Sequence, residues 1–460
     1  MNIANIQHLL TVAFELAVVL GIMVLVHETG HFLVAKLCGV RVETFSIGFG
    51  KRILGFKRGD TDYRLSILPL GGYVKMSGDN PGEAPSGDPG EFNAHPRWQR
   101  VAIALAGPVS NFILAFCLML FVGMVHYEVE TYLHQPSVAD YVPLNSATAK
   151  AGLQSGDTIV HFNDVENPDW NEITSRSAMS ANQTVAFSFL HNGVRTDTKL
   201  LIDAPGGPKS VDFAHIGLIP RVQTEPIGVQ QVSPNTPAEH AGIHNGDQIA
   251  TIDGIPTHSV HSLLAYMHDQ GGKPAVLTVI RNGQPMQVPI TPEVGDIGAG
   301  DKDYRLGFLP TPTPVDVVKL PFAQAVKASY QTNKDDSALI LEVIHRMFTR
   351  KVSVRSLSGP IGIAQQIDMS ARIGLWGPVG LLHLMASISL NLGIFNLLPI
   401  PILDGGMILF LLIESLMRRD MNQQLKERIY QVAFVCILLF AVFVIFNDIS
   451  QLSPFAKGKP

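Results

Sequence analysis

Four segments of the chain are long and apolar enough to cross a lipid bilayer, and they constrain the fold more than any other feature. A spanning helix needs about 20 mainly apolar residues. The segments are residues 9–37, 101–125, 375–398 and 429–446. Only 16% of the 460 residues are charged, against about 25% in a typical soluble domain. The sequence therefore predicts a multi-pass α-helical membrane protein with four transmembrane helices.

Charge and cysteine content argue against several other classes of protein. The net charge of -5 gives no support for nucleic-acid binding. Cys38, Cys117 and Cys436 are far apart and lie in or beside apolar stretches, which predicts neither a disulfide framework nor a cysteine metal site. The first apolar segment lacks a basic start and a small-residue cleavage site, so we expect it to be retained rather than removed as a signal peptide.

Basic residues predict the orientation of the four spans. Between the first and second spans lie Arg41, Lys51, Arg52, Lys57, Arg58, Arg64, Lys75, Arg97 and Arg100. Between the third and fourth lie Arg418, Arg419, Lys426 and Arg428. Because short cytosolic loops are enriched in Lys and Arg, we expect both loops in the cytosol. Both termini and the long stretch between the second and third spans are then expected outside.

The pentapeptide His27-Glu28-Thr29-Gly30-His31 lies at the end of the first apolar segment. Two histidines four residues apart share one face of a helix, so their ring nitrogens can converge on one metal ion. The intervening Glu28 has the position of a metalloprotease general base. Ionisable groups inside a membrane are costly and are usually functional. The alternative is a pair of helix-end histidines that reach the membrane interface and bind no metal.

A zinc site with two histidines needs a third protein ligand. The first and third spans run in the same direction, so the partner should lie at the cytosolic end of the third span. Asn396 begins the stretch NLLPIPILDG there, in which Pro399 and Pro401 break the helix. Asp404 then supplies a carboxylate at the matching depth. The alternative is that Asp404 only caps the break.

The stretch between the second and third spans contains an internal repeat with an offset of 90 residues (235 − 145). The four matching landmarks are Asn145 and Asn235, Gly156-Asp157 and Gly246-Asp247, Asn192-Gly193 and Asn282-Gly283, and Gly217 and Gly307. They predict two mostly-β modules of about 90 residues. The repeated Ala-Gly-Φ-x-x-Gly-Asp pattern resembles circularly permuted bacterial PDZ domains, which bind peptides along a sheet edge. That resemblance implies a carboxylate-binding loop, Ile216-Gly217-Leu218-Ile219, serving the groove of the second module; the alternative is two rigid spacers that bind nothing.

The loop after the first span contains two strand-like stretches, residues 41–53 and 63–76. They include Gly48, Gly50, Gly71 and Gly72 and predict a membrane-proximal β-hairpin or small sheet. Because the peptide bonds of a helical substrate are occupied by its own hydrogen bonds, an unwound segment would pair with a strand edge near residues 48–50 or 70–73. The alternative is that these glycines serve tight turns only.

Together, the HExxH helix and the Asn-x-x-Pro-x-Pro-x-Leu-Asp-Gly segment resemble the site-2 protease family of intramembrane zinc metalloproteases. Residues 107–112 (GPVSNF), residues 69–74 (PLGGYV) and the two PDZ-like modules extend the resemblance over nearly the whole chain. The resemblance implies a zinc metalloendopeptidase of the bacterial inner membrane. It also implies Zn²⁺ ligands His27, His31 and Asp404, with Glu28 as the catalytic base.

The same resemblance implies the substrates. They would be single-pass membrane proteins cut in or near the bilayer after an earlier external cut, namely an anti-sigma factor and remnant signal peptides. From the residues themselves we expect support of the substrate or transition state from Asn396, by its position and donor group, and also from Asn391, Gly48, Gly50, Gly71 and Gly72. We expect the PDZ-like modules to act as a size filter for substrates. Two alternatives remain: a non-catalytic scaffold, and a membrane-embedded metallopeptidase that cuts segments outside transmembrane helices.

These inferences divide the chain at definite positions. The expected segments are 1–38 (first span), 39–100 (cytosolic hairpin loop), 101–126 (second span), 127–220 and 221–314 (PDZ-like domains), 315–373 (amphipathic or linker region), 374–405 (third span and Asp-Gly motif), 406–428 (cytosolic loop), 429–447 (fourth span) and 448–460 (tail).

Overall fold

The structure, a computed structural model, describes residues 3–79, 87–204, 213–298, 301–349, 359, 362–364, 366–367 and 377–452. It forms two compact units. We call Met1–Tyr127 with Lys319–Pro460 the membrane unit, and Glu128–Val318 the inserted unit. The inserted unit thus interrupts the membrane unit once in the sequence.

The α-helices, in chain order, are α1 (Ile3–Cys38), α2 (Arg97–Val125), α3 (Ala147–Lys150), α4 (Trp170–Met179), α5 (Phe213–Ile216), α6 (Pro237–His240), α7 (Val260–Asp269), α8 (Phe322–Phe348), α9 (Gly377–Asn396), α10 (Asp404–Met417) and α11 (Gln423–Leu452). Short 3₁₀ turns lie at Phe92–Ala94 and Thr131–His134.

The β-strands, in chain order, are β1 (Val42–Arg58), β2 (Thr61–Met76), β3 (Tyr127–Glu130), β4 (Ala139–Tyr141), β5 (Thr158–Phe162), β6 (Val165–Glu166), β7 (Thr184–His191), β8 (Val194–Leu201), β9 (Ile219–Pro220), β10 (Ile227–Val232), β11 (Gln248–Ile252), β12 (Ile255–Pro256), β13 (Ala275–Arg281), β14 (Gln284–Ile290), β15 (Glu293–Gly298), β16 (Asp301–Arg305), β17 (Phe308–Pro310) and β18 (Val315–Val318).

Four of the described helices are long and apolar enough to cross a membrane. They cover Leu10–Cys38, Arg97–Val125, Val379–Asn396 and Gln424–Asp448, which agrees with the four spans predicted from the sequence. The predicted tail begins inside α11, and its residues 453–460 lie outside the described residues. The predicted linker region contains β18 and the 27-residue helix α8, while its residues 350–358 are also outside the described residues.

Small residues let α2 pack closely against α1 and α9. A Cβ atom added at Gly30 of α1 would lie 2.3 Å from the carbonyl oxygen of Ala106. One added at Gly393 of α9 would lie 3.2 Å from the carbonyl oxygen of Pro108. Helices in lipid depend on such close approach, because the surrounding lipid is as apolar as the side chains. The tight packing fixes α1 and α9 against the same segment of α2.

The predicted cytosolic loop 406–428 contains most of helix α10, and its side of the membrane stays a prediction. This helix buries Phe410, Leu411 and the side chain of Glu414. Glu414 accepts a hydrogen bond from the Met421 amide at 3.0 Å and forms an ion pair with Lys426. Its 14 residues are too few to span a bilayer. A search of the sequence for membrane-spanning segments therefore does not detect this helix.

The predicted small sheet after α1 is formed by β1 and β2. Residues 44–47 of β1 pair with residues 62–65 on one side and with residues 72–75 on the other. Gly48 and Gly50 follow this central segment with φ values of 87° and 91°, a region that favours glycine. Of the two candidate edges, residues 48–50 form an irregular part of β1 in which Phe49 pairs with Leu68. Of residues 70–73, Gly72 and Tyr73 pair with β1 on one side and have no partner on the other side among the described strands.

The element order of the inserted unit repeats with the offset found in the sequence. Strand β5 begins at Thr158 and its counterpart β11 at Gln248, 90 residues later (248 − 158). The ladder pair Ala139–Pro220 between β4 and β9 likewise corresponds to Val229–Pro310 between β10 and β17. Two clusters of buried apolar side chains accompany the two copies, and the second cluster also contains Tyr141 and Ile219 of the first copy.

The segment 216–219 makes contacts in both copies of the repeat. Ile216 and Leu218 are fully buried in the apolar core of the first copy. Thr148 Oγ1 donates to the carbonyl oxygens of Ile216 and Gly217 at 3.0 and 3.1 Å. Residues 216–218 are therefore held by the first copy, whereas Ile219 packs in the apolar cluster of the second. Residues 306–309 lie at the equivalent position of the second copy, and the role of residues 216–219 in a peptide groove stays a prediction.

Candidate metal centre

His27, His31 and Asp404 converge at one point of the membrane unit. The Nε2 atoms of His27 and His31 are 3.1 Å apart. The Oδ2 atom of Asp404 lies 3.1 Å from the first and 3.4 Å from the second. The two histidines are only 7% and 8% exposed. The structure thus brings together the three residues that the sequence suggested as ligands.

The donor set fits a tetrahedral metal ion. Three ligand atoms held at zinc-ligand distances in a tetrahedron are about 3.3 Å from one another, close to the observed 3.1 to 3.4 Å. Among the described residues, the buried Oδ2 of Asp404 accepts no hydrogen bond. Three lone-pair donors facing one another at this distance repel unless a cation or a proton lies between them. The arrangement therefore suits a divalent cation bound by two imidazoles and one carboxylate.

A break between α9 and α10 carries Asp404 to this point. Ile402 has a φ of 91°, which is strained for a β-branched residue. A Cβ atom added at Gly405 would lie 2.3 Å from the carbonyl oxygen of Leu397, and one added at Gly406 would lie 2.2 Å from that of Ile400. The two glycines let the break fold back on itself, and Asp404 becomes the first residue of α10. Strain of this kind is common at functional sites.

Helix α2 supplies the partners of the other ring nitrogens. His31 Nδ1 lies 2.7 Å from the carbonyl oxygen of Ile103, and His27 Nδ1 lies 3.2 Å from the amide of Asn111. A Cβ atom added at Gly107 would lie 2.2 Å from His31 Nε2, so only glycine leaves room for the rings. The sequence alone assigned no role to Gly107 and Asn111, although both belong to the GPVSNF motif.

Glu28 lies beside the strand edge and a cavity of about 460 Å³. Its carboxylate is hydrogen-bonded to the Val74 backbone amide. A Cβ atom at Gly72 would lie 3.4 Å from Glu28 Cγ. Tyr73 and Asp79 also line the cavity, and burial raises the pKa of the Asp79 carboxyl above its usual value. The general-base candidate thus faces an open cavity that Tyr73, Val74 and Met76 of β2 also line.

The remaining candidate residues divide between the cavity and the surrounding helices. Asn396 lines the cavity together with the metal-site residues. The cavity lining does not include Asn391, which lies in α9. Gly71 has a φ of 153° and packs against the ring of Phe49, so its role in the structure is to allow close strand packing.

The sequence profile of peptidase family M50 matches residues 15–440. The chain belongs to peptidase family M50. Its relatives in this family cover almost its whole length. The regulator of sigma-E protease RseP of Salmonella typhimurium is 33% identical over 466 residues, covering 96% of this M50 chain and 100% of the relative. RseP of Escherichia coli is 33% identical over 458 residues, covering 95% and 97%.

A further M50 relative is named for its metal. A putative zinc metalloprotease of Neisseria meningitidis is 32% identical over 451 residues, covering 95% of this chain and 99% of the relative. The PDZ domain of a Listeria monocytogenes protein overlaps 19% of this chain and 90% of its own, with 21% identity and a TM-score of 0.17, too low to establish a fold. Family membership and the four apolar helices show a multi-pass membrane metalloprotease of family M50.

Proposed function

We propose that this M50 protein is an intramembrane zinc metalloendopeptidase that cleaves single-pass membrane proteins in or near their transmembrane segments. The observation that carries the proposal is the convergence of His27, His31 and Asp404 among apolar helices, with Glu28 beside them. A buried cluster of this kind is costly in a membrane and is expected only where it has a function.

His27, His31 and Asp404 would hold the zinc ion. When bound, zinc supplies a Lewis acid that polarises the scissile carbonyl and lowers the pKa of a water molecule towards about 7. Glu28 takes the proton from the attacking water and delivers it to the leaving amine nitrogen. Asn396, which lines the same cavity, donates its side-chain amide to the developing oxyanion or the substrate backbone.

The substrate must unwind before its peptide bond becomes accessible, because a helix occupies its own backbone groups. The unpaired side of residues 72–75 offers backbone groups to an extended segment. The same stretch contacts Glu28 through Gly72 and the Val74 amide. Pairing there would present one substrate bond to the general base.

The basic residues between the spans support a bacterial inner-membrane location with the metal site near the cytosolic side. In this orientation both termini and the inserted unit are extracytoplasmic. The relatives named as regulators of sigma-E support a membrane-bound anti-sigma factor, shortened by an earlier cut, as one substrate. Remnant signal peptides, which are also short membrane helices, fit the same chemistry.

The inserted unit would act as a size filter for the substrate. Its two ends are joined as strands β3 and β18, which pair with each other. It contains two modules that are each about 25 to 30 Å across. A substrate with its own folded external domain would be obstructed, whereas a trimmed substrate would pass.

The experiment deletes residues 137–310 and joins the flanking segments with a short Gly-Ser linker, so that β3 and β18 remain. We expect the deletion protein to cut both trimmed and untrimmed substrates. Loss of cleavage of the trimmed substrate would mean that the unit recruits substrate and would refute the filter. The same deletion carrying Glu28→Gln is the control for cleavage by other proteases.

A further inference from the structure

Asn111 is a fully buried polar residue of α2 that touches the candidate metal site without belonging to it. Its amide nitrogen lies 3.2 Å from Nδ1 of His27. Its amide oxygen is buried and has no hydrogen-bond partner among the described residues. A buried amide oxygen without a donor costs free energy, so this arrangement requires an explanation.

The protonation of His27 supplies one. Nε2 of His27 points at Nε2 of His31 and Oδ2 of Asp404, so Nε2 is the atom that would bind the metal. A neutral imidazole that binds metal through Nε2 carries its proton on Nδ1 and donates it. The atom facing Nδ1 must then be an acceptor, whereas an amide nitrogen is a donor.

Rotating the Asn111 amide by half a turn resolves the mismatch at His27. Oxygen and nitrogen of an amide have nearly the same shape, and their assignment follows from the hydrogen-bond partners. After rotation, Oδ1 accepts the proton of His27 Nδ1, and the amide nitrogen takes the position that the oxygen held. His31 already has the equivalent arrangement, since its Nδ1 faces the carbonyl oxygen of Ile103 at 2.7 Å.

Neighbouring helices hold Asn111 in this place. Ser389 of α9 is fully buried and donates its hydroxyl to the backbone carbonyl oxygen of Asn111 at 2.9 Å. A Cβ atom at Gly393 would lie 3.5 Å from Asn111 Cβ. The residue is therefore confined between α1 and α9, and its side chain has few alternatives to contact with His27.

We propose that the side-chain oxygen of Asn111 accepts a hydrogen bond from His27 Nδ1 and thereby holds His27 in the tautomer and ring orientation that bind the metal. Asn111 is a positioning residue, because it acts through His27. The inference rests on the proposed metal site. It gives the asparagine of the GPVSNF motif a chemical role, as the counterpart of a backbone carbonyl at the other histidine.

The test measures Zn²⁺ affinity of the purified full-length protein by competition with a chelator, together with the visible spectrum of the Co²⁺-loaded protein. Asn111→Leu keeps a similar volume but removes the acceptor. We expect its Zn²⁺ affinity to fall 10- to 100-fold, the usual effect of losing such a partner, with an altered Co²⁺ spectrum. Ser110→Ala, on the same helix turn, removes a hydroxyl that donates to the Ala106 carbonyl oxygen and should leave both unchanged.

Asn111→Asp shows whether residue 111 accepts a hydrogen bond from His27 Nδ1 or donates one to it. This variant remains informative if Asn111→Leu does not fold. A carboxylate can accept from Nδ1 but cannot donate to it, so we expect the affinity to stay within about threefold of wild type or to rise. An Asn111→Asp protein that folds but binds Zn²⁺ at least tenfold more weakly would overturn the inference. So would wild-type affinity in a folded Asn111→Leu protein. Failure of the wild-type protein to bind any divalent metal would instead refute the proposed function.

Discussion

Oδ2 of Asp404 lies 3.1 Å from Nε2 of His27, although one residue begins α10 and the other lies within α1. A regular continuation of α9 would not place Asp404 beside His27. The strained Ile402 and the crowded glycines Gly405 and Gly406 fold the break so that Asp404 points back towards α1. The contact is therefore produced by the break between α9 and α10.

Replacing Asp404 should weaken the metal site without disturbing the fold. Asp404→Ala leaves two histidines, and we expect the bound zinc per protein to fall by at least tenfold, because a zinc site needs three protein ligands. The measurement is elemental analysis of the purified protein after dialysis against a weak chelator. Asp420→Ala removes an exposed carboxylate that pairs with Arg97 and should keep its metal. Equal metal content in both variants would place the third ligand elsewhere.

A substitution at Gly107 tests how closely α2 approaches the two imidazoles. In Gly107→Ala the new Cβ would lie 2.2 Å from His31 Nε2 and 2.8 Å from His27 Cε1, so both rings must move. We expect metal affinity to fall at least tenfold, in line with other disturbances of ligand orientation. Gly123→Ala on the same helix meets only Ala325 and Leu320, at 3.5 Å or more, and should behave as wild type. Normal metal binding in Gly107→Ala would show that the rings lie farther from α2.

The two copies of the repeat differ in the partner of one buried aspartate, which predicts a difference in pH dependence. Asp247 is held by Arg281 at 2.7 and 2.8 Å, and Arg281 keeps the pKa of Asp247 below its usual value. A lowered folded pKa contributes stability above the unfolded pKa of about 3.9, and this stability is lost as the pH falls through the folded pKa. In the first copy, Asp157 faces His191 at 2.7 Å instead.

The substitution Arg281→His makes the second copy resemble the first. Histidine loses its charge as the pH rises from about 5 to about 8, whereas arginine does not. We expect hydrogen-exchange protection of β11 and β13 in the full-length variant to decrease over this range, while the wild-type protein shows little change. The same strands of the wild-type protein, in which Arg281 keeps its charge, are the control. A flat profile for the variant would show that the ion pair contributes little to the stability of this module.

Membrane orientation can be tested with cysteines at two turns. In a variant lacking Cys38, Cys117 and Cys436, we expect Asp60→Cys, between β1 and β2, to resist a membrane-impermeant thiol reagent added to intact cells. Asn192→Cys, between β7 and β8, should react. Permeabilised cells give the control for accessibility. The opposite pattern would place the metal site near the outer face.

The sequence predicted those features that depend on periodicity or on topology. The spacing of His27 and His31 places both on one helix face. Because the first and third spans run in the same direction, Asp404 was expected at the same membrane depth as the two histidines. The offset of 90 residues likewise predicted the repeated strands. These properties are local or follow from the direction of successive helices. They can therefore be predicted from the sequence without knowing which segments are in contact.

Features that depend on contacts between distant segments were not predicted. Helix α10 has 14 residues, too few for a span, and its burial could not be read from composition. Hydrogen bonds from Thr148 hold Ile216 and Gly217 in the first copy, while Ile219 packs in the second cluster, and neither contact is visible in the sequence. The contact of Asn111 with His27 depends on how α2 packs against α1.

The most direct test of the account compares wild-type protein with Glu28→Gln. Both are purified at full length, brought to equal metal content, and given a single-pass substrate whose products are identified by mass spectrometry. Because only the proton-transferring carboxylate is lost, we expect Glu28→Gln to retain its metal and fold while cleavage falls by at least 10²-fold. We expect the wild-type protein to cut in or near the transmembrane segment. Cleavage by Glu28→Gln at the wild-type rate would contradict the proposed intramembrane metalloprotease.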